Sequence, residues 1–114
     1  MSNQKEVVLC VSNAYQQKFY LNENFNGLPA SIKDELKIMC VMYTEDVGGI
    51  LKVVFDEDGN LEFQTEYEET DYFYDEIGSV LKIKQYQNTK RELLESIETY
   101  YKIVFLGQGF DEED

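Results

Sequence analysis

Between Val53 and Leu81 the chain reads "VVFDEDGNLEFQTEYEETDYFYDEIGSVL", ten carboxylates with no Lys or Arg among them. Such crowding could serve to bind a cation, to supply an acid–base carboxylate pair, or to meet a positively charged partner. A calcium loop of the EF-hand kind needs oxygen ligands at positions 1, 3 and 5, glycine at 6 and a bidentate Glu at 12. Counted from Asp56, the glycine (Gly59) comes too early and the twelfth residue is Tyr67. Asp56, Glu57, Asp58, Gly59 and Asn60 therefore read as a hairpin turn, with loose association of a cation or small ligand along 56–76 as the alternative. The second cluster is Glu66, Glu68, Glu69, Asp71, Asp75 and Glu76. Two carboxylates flanking a bond can cleave a glycoside, but one must then sit in an apolar pocket that keeps it protonated. Asp71, Asp75 and Glu76 instead lie just before a helical segment, where anions favour the helix dipole. A hydrolase is thus the third reading.

The chain has no His and two Cys. That removes the Ser-His-Asp and Cys-His templates, and two thiols alone cannot complete a tetrahedral zinc site. Cys10 falls in an apolar strand and Cys40 in a helical core stripe, without the cationic setting that activates a thiolate. Tyr15 and Lys18 in "YQQK" lack the spacing of a Tyr–Lys oxidoreductase pair, and there is no glycine-rich phosphate loop. No metal, no cofactor and no enzymatic activity are expected.

What folding alone leaves unexplained is charge segregation. Lys82, Lys84, Lys90 and Arg91, four of the ten cations, follow directly on the acidic run, and Tyr67, Tyr72, Phe73, Tyr74 and Tyr86 flank both. Aromatic surfaces with complementary charge are what protein interfaces use. The candidate interaction surface is Tyr72, Phe73, Tyr74, Asp75, Lys82, Lys84 and Tyr86, and the candidate partner is another protein or a second copy. With a formal charge of −13, self-association is expected to rest on apolar burial by the last helix more than on charge pairing. The same charge argues against nucleic acid and against an anionic membrane surface.

These residues must be positioned by a small domain. At 114 residues the chain has room for one core, and nine Tyr with seven Phe exceed what a disordered chain carries. We expect a single domain over 1–114, ordered over about 5–107, with an acidic tail at 108–114. "VVLCV" reads as a strand covered on both faces, and "KFYLN" alternates with Phe19 and Leu21 on one side, giving a first hairpin. In "SIKDELKIMCVMYTEDVGG", Ile32, Leu36, Met39, Cys40, Tyr43 and Val47 form a helical stripe. Ser31 with Asp34 suggests a capping box, and Gly48–Gly49 a stop. "ILKVVF" and "LEFQTEY" form a second hairpin about "DEDGN". "YDEIGSVLKIKQY" sets Ile77, Val80, Leu81 and Lys84 on one side of a helix. Thr89 with Glu92 suggests the cap of a last helix, whose apolar face runs through Leu93, Leu94, Ile97, Tyr100, Tyr101, Val104 and Phe105. The order ββαββαα implies an α+β fold with helices on a mostly antiparallel four-stranded sheet. Leu36, Cys40, Val53, Phe63, Ile97 and Tyr101 are its expected core.

The strings "QKFYLNENFNGLP", "IKDELKIMCVMYTEDVGGI", "DEIGSVLKIKQYQ" and "ELLESIETYYK" are similar to a small family of short acidic clostridial proteins that is a domain of unknown function. The resemblance covers nearly the whole chain and implies a bacterial cytoplasmic protein, with no activity or site residue to carry over. Two hairpins flanking a helix also resemble the order of roadblock and longin modules, which are interaction scaffolds, although no motif supports that likeness. The N-terminal stretch has an apolar run too short for an export signal, and no segment approaches the length of a membrane span. The sequence points to a cytoplasmic, non-enzymatic protein-interaction module.

Overall fold

The computed structural model describes residues 6–108. Strands β1 (Val7–Asn13) and β2 (Lys18–Leu21) form the first hairpin, and helix α1 (Ala30–Val47) follows a short 3-10 turn at Glu23–Phe25. Strands β3 (Ile50–Phe55) and β4 (Leu61–Glu66) form the second hairpin, and helices α2 (Glu76–Thr89) and α3 (Arg91–Val104) close the fold. The sheet is antiparallel throughout, ordered β2-β1-β3-β4. The α+β fold and the order ββαββαα are as the sequence implied. The expected acidic tail lies, beyond Gln108, outside the described residues.

Alternation in the strands fixes which face is covered. Cys10 and Ser12 pair with Val53 and Leu51 across β1 and β3, and all four side chains are buried. Ser12 reaches Thr44 of α1 through a 2.8 Å hydroxyl–hydroxyl hydrogen bond, and the Cys10 and Cys40 sulfurs lie 3.8 Å apart. Farther along the same face Phe55 stacks on Tyr101 of α3 with ring centroids 4.0 Å apart, and Phe25 joins them. The opposite face carries Val8, Val11, Tyr20, Lys52, Val54, Glu62 and Gln64 in register, and of these only Val54 is buried. The expectation that "VVLCV" is covered on both faces is thus corrected: Val8 and Val11 are only half-buried. The continuous run has another cause. A bulge at Leu9 inserts an extra residue, so that Leu9 and Cys10 are both wholly buried.

The α1 stripe is inside as read, with Leu36, Met39, Cys40, Tyr43 and Val47 buried and Ile32 packed against them. Both expected capping boxes are absent. Pro29, whose side chain has no hydrogen-bonding atom, is the N-cap of α1, and its carbonyl accepts from Ile32 and Lys33, which leaves Ser31 within the first turn. Thr89 ends α2, and its hydroxyl donates back to the Gln85 carbonyl. Lys90 then caps both helices. The glycine stop holds: Gly48 ends α1 with φ 91° and its N–H bonds the Thr44 carbonyl. Of the expected core, Phe63 is half-buried on edge strand β4, and the other five residues are buried.

Candidate interaction surface

The acidic run divides into two structures with different work for their carboxylates. In the β3–β4 turn, Asp56 accepts from the backbone N–H groups of Asp58 and Asn60 at 2.9 Å each. Those hydrogen bonds, the one from Asn60 foremost, hold its carboxyl below the usual Asp range. Asp56 thus staples the hairpin turn that the sequence implied, and Lys102 of α3 lies 3.5 Å from the Asn60 side-chain oxygen.

The segment from Tyr67 to Asp75 is fastened to the body at several points. Tyr15, from the β1–β2 turn, donates to Asp71 at 2.6 Å and accepts from the Glu68 N–H at 3.0 Å. The other Asp71 oxygen accepts from the Phe73 N–H. Tyr67 stacks on Tyr74 with centroids 4.2 Å apart and donates to Glu76. Tyr74 lies against Gly49, where a Cβ would come within 2.7 Å of its ring and 2.6 Å of the Glu66 carbonyl. Only glycine permits that approach, and at φ 72° only glycine adopts the conformation without strain. The Tyr43 hydroxyl, beneath, hydrogen-bonds to Ser79 and lies 3.5 Å from that of Tyr74. Burial pushes the Tyr43 phenol well above its ordinary pKa. Finally, the Asp75 N–H bonds the Val47 carbonyl, and the Asp75 carboxylate caps α2 by accepting from Gly78 at 2.8 Å.

These fastenings orient what remains. Phe73 is 95% exposed, Tyr72 87% and Ile77 76%, and Val80 and Leu81 are more than half exposed. The α2 stripe of Ile77, Val80, Leu81 and Lys84 therefore exists, and it faces solvent, while Ser79 and Tyr86 of the same helix are buried. Of the residues expected at an interface, Tyr72, Phe73, Asp75 and Lys84 are exposed together along the α2 side of the molecule. Tyr74 is half-buried as a support, and Lys82 is committed to Asp46 of α1 at 3.0 Å. Tyr86 is in the core, because a helix that turns Ile77 outward turns the residue nine positions on inward. The surface residues that sequence reasoning passed over are Ile77, Val80 and Leu81. Their spacing was visible, and only the side on which α1 packs was not. The final helix buries Leu93, Leu94, Ile97 and Tyr101, the last two as expected of the core, so that its apolar face leaves Val104 and Phe105 partly exposed, with Leu106 beyond them.

Several of the carboxylates are taken up within the chain. Glu66 pairs with Lys52 at 3.5 Å, and Asp71, Asp75 and Glu76 accept hydrogen bonds from within the chain. Among the described residues no three Asp, Glu, Cys or His side chains are grouped to hold a metal ion, and the buried polar side chains are Ser12, Thr44 and Ser79. No described helix is long and apolar enough to cross a membrane. The Cys10 thiol, hydrogen-bonded to Cys40 and buried, has its pKa raised well above the ordinary value, opposite to an activated nucleophile.

No curated protein and no solved structure matches the chain. A family model matches residues 6–109, which takes in every strand and helix described above. The chain belongs to that family, DUF6145, a family of unknown function.

Proposed function

We propose that this protein is a non-enzymatic protein-interaction module of a bacterial cytoplasm, and that it binds through Tyr72, Phe73, Ile77, Val80 and Leu81. The observation that carries the reading is the coexistence of nearly bare aromatic rings with a rigid mount. A loop that merely connected β4 to α2 would have no use for the Tyr15–Asp71 bond, the Tyr67–Tyr74 stack and the Gly49 seat, which together fix the backbone on either side of Tyr72 and Phe73. Anchors held in place before binding lose little entropy when they dock, and buried aromatics dominate interface energetics. Two aromatic side chains this exposed present roughly 300–400 Å² by themselves, and the three aliphatic residues beside them extend the patch to the size range of functional apolar surfaces.

Against an enzyme stands the chemistry of the carboxylates, none of which lies buried in an enclosed pocket among the described residues. The cation-binding alternative over 56–76 finds less support, since Asp56, Asp71 and Asp75 each accept backbone N–H bonds. The side-by-side thiols of Cys10 and Cys40, unlinked, fit a reducing compartment.

The test is affinity capture from the native host with wild-type protein and with Phe73→Ser/Ile77→Ser as bait. Both substitutions fall on exposed positions, so the variant should keep its circular dichroism and melting temperature. Proteins retained by the wild type and lost by the variant are the expected result. An identical set of retained proteins on both would remove this surface from the proposal.

A further inference from the structure

Resting on that reading, we infer that the occupant of this surface is a second copy of the chain, with the two α2 helices crossing antiparallel about Val80 and Leu81. The argument begins with how charge runs along the patch. At the α2 N-terminal end Glu69, Asp75 and Glu76 line one surface depression with Ile77, and toward the C-terminal end Lys84 stands exposed. Lys84 has no carboxylate partner among the salt bridges of the described residues, while Lys82, two positions earlier, has Asp46. A surface that is acidic at one end, apolar in the middle and basic at the other is its own complement under a two-fold axis. Residue i of one copy then meets j of the other, and j meets i.

Antiparallel crossing about the middle of the stripe brings Lys84 of each copy to the Ile77 end of the other. Its ammonium group is there within reach of Glu69, Asp75 and Glu76, and its stem lies beside the nearly bare ring of Tyr72, which lines the same depression as Ile77. A cation over an aromatic face adds attraction of its own. The same crossing packs Ile77, Val80 and Leu81 against their counterparts, which gives the interface an apolar centre and a charged rim.

The total charge of −13 on each copy does not decide the matter. At physiological ionic strength the screening length is about 8 Å, so the charges that count are those beside the contact, and there both signs are present in alternating places. A partner of uniformly basic character would satisfy the acidic end but would set its own cations against Lys84.

Sedimentation equilibrium from low to high micromolar concentration tests this on the intact protein. We expect a reversible dimer that Ile77→Ser abolishes and that Lys84→Glu weakens by at least about tenfold. Glu76→Lys should weaken it as well, and mixing it with Lys84→Glu should restore association as a heterodimer. Since Glu76 also accepts from Tyr67, Glu69→Lys serves as the acidic-end variant if Glu76→Lys fails to fold. A wild type that stays monomeric throughout overturns the inference, as does a dimer indifferent to Ile77→Ser and Lys84→Glu. If a monomer still captures a foreign protein in a manner that depends on Phe73 and Ile77, the interface reading stands and only the identity of the occupant falls. Capture indifferent to both positions removes the two together.

Discussion

Helices α2 and α3 have the same length and adjoin at Lys90, yet they treat their apolar residues in opposite ways. In α3, Leu93, Leu94, Ile97 and Tyr101 recur at three and four and are buried against α1, the sheet and Phe25. In α2, Ile77, Val80, Leu81 and Lys84 recur just as regularly and face water, while a serine and a tyrosine are buried in their place. Periodicity therefore identifies a face, and only packing says whether the face is core or contact. Ser79 stands on the inward side of α2, beside Ile83 and Tyr86, for a local reason: its hydroxyl satisfies that of Tyr43, which α1 places in the interior.

The widest separation between the two helices should come from truncation at their apolar centres. Ile97→Ala empties a fully buried position and should cost about 2–5 kcal/mol in urea unfolding, with the slope unchanged. A cost under about 1 kcal/mol would mean that α3 does not close the core.

Next in size, Gly49→Ala should cost roughly 1–3 kcal/mol, because alanine must adopt positive φ and its methyl group meets the Glu66 carbonyl as well as the Tyr74 ring. The Tyr67–Tyr74 stack should loosen with it, read as a change in near-ultraviolet circular dichroism. A neutral outcome would show that Tyr74 is not seated there.

Alkaline pH probes the buried tyrosine beneath α2. Burial raises the Tyr43 pKa in the folded protein, so its stabilising contribution is complete below the unfolded tyrosine pKa of about 10 and is lost as pH rises above it. Wild-type stability should therefore fall above about pH 10 more steeply than that of Tyr43→Phe. Equal slopes would exclude Tyr43 as the cause.

Asp75→Ala removes the only side-chain cap of the two helices and should cost about 1 kcal/mol, whereas Asp75→Asn should retain most of it. The smallest effect is expected on the exposed stripe. Leu81→Ala should change monomer stability by no more than about 0.5 kcal/mol, since the side chain gains little from the fold. Measured at rising protein concentration, the same substitution should lower apparent stability increasingly if α2 pairs with a second copy.

Much of the architecture could be read from residue order because each signal was local. The α1 stripe and its Gly48 stop depend on spacing within a single helix, and the strand alternations at 51–55 and 61–67 depend on the pleat. Capping was less legible. Ser31 and Thr89 have suitable side chains, but Pro29 and Lys90 set the helix starts, because the chain enters α1 from an extended Pro29 and passes from α2 to α3 with no intervening loop. The continuous apolar run in β1 suggested cover on both faces, and the structure traces its burial to the bulge at Leu9.

The candidate surface divides along the same line. Sequence by itself determined that aromatics, carboxylates and lysines crowd residues 67–86, that His-dependent chemistry has no residues to use, and that Ile77, Val80 and Leu81 share one side of a helix. Tertiary structure decided which side that was, that Tyr74 and Tyr86 serve the core, and that Asp71 and Asp75 are bound up in holding the loop. The physical reason is that period and composition are properties of one segment, whereas exposure is a relation between segments. Tyr72 and Phe73 are bare because Tyr15, 56 residues upstream of Asp71, and Gly49, beside Tyr74, hold their neighbours in place.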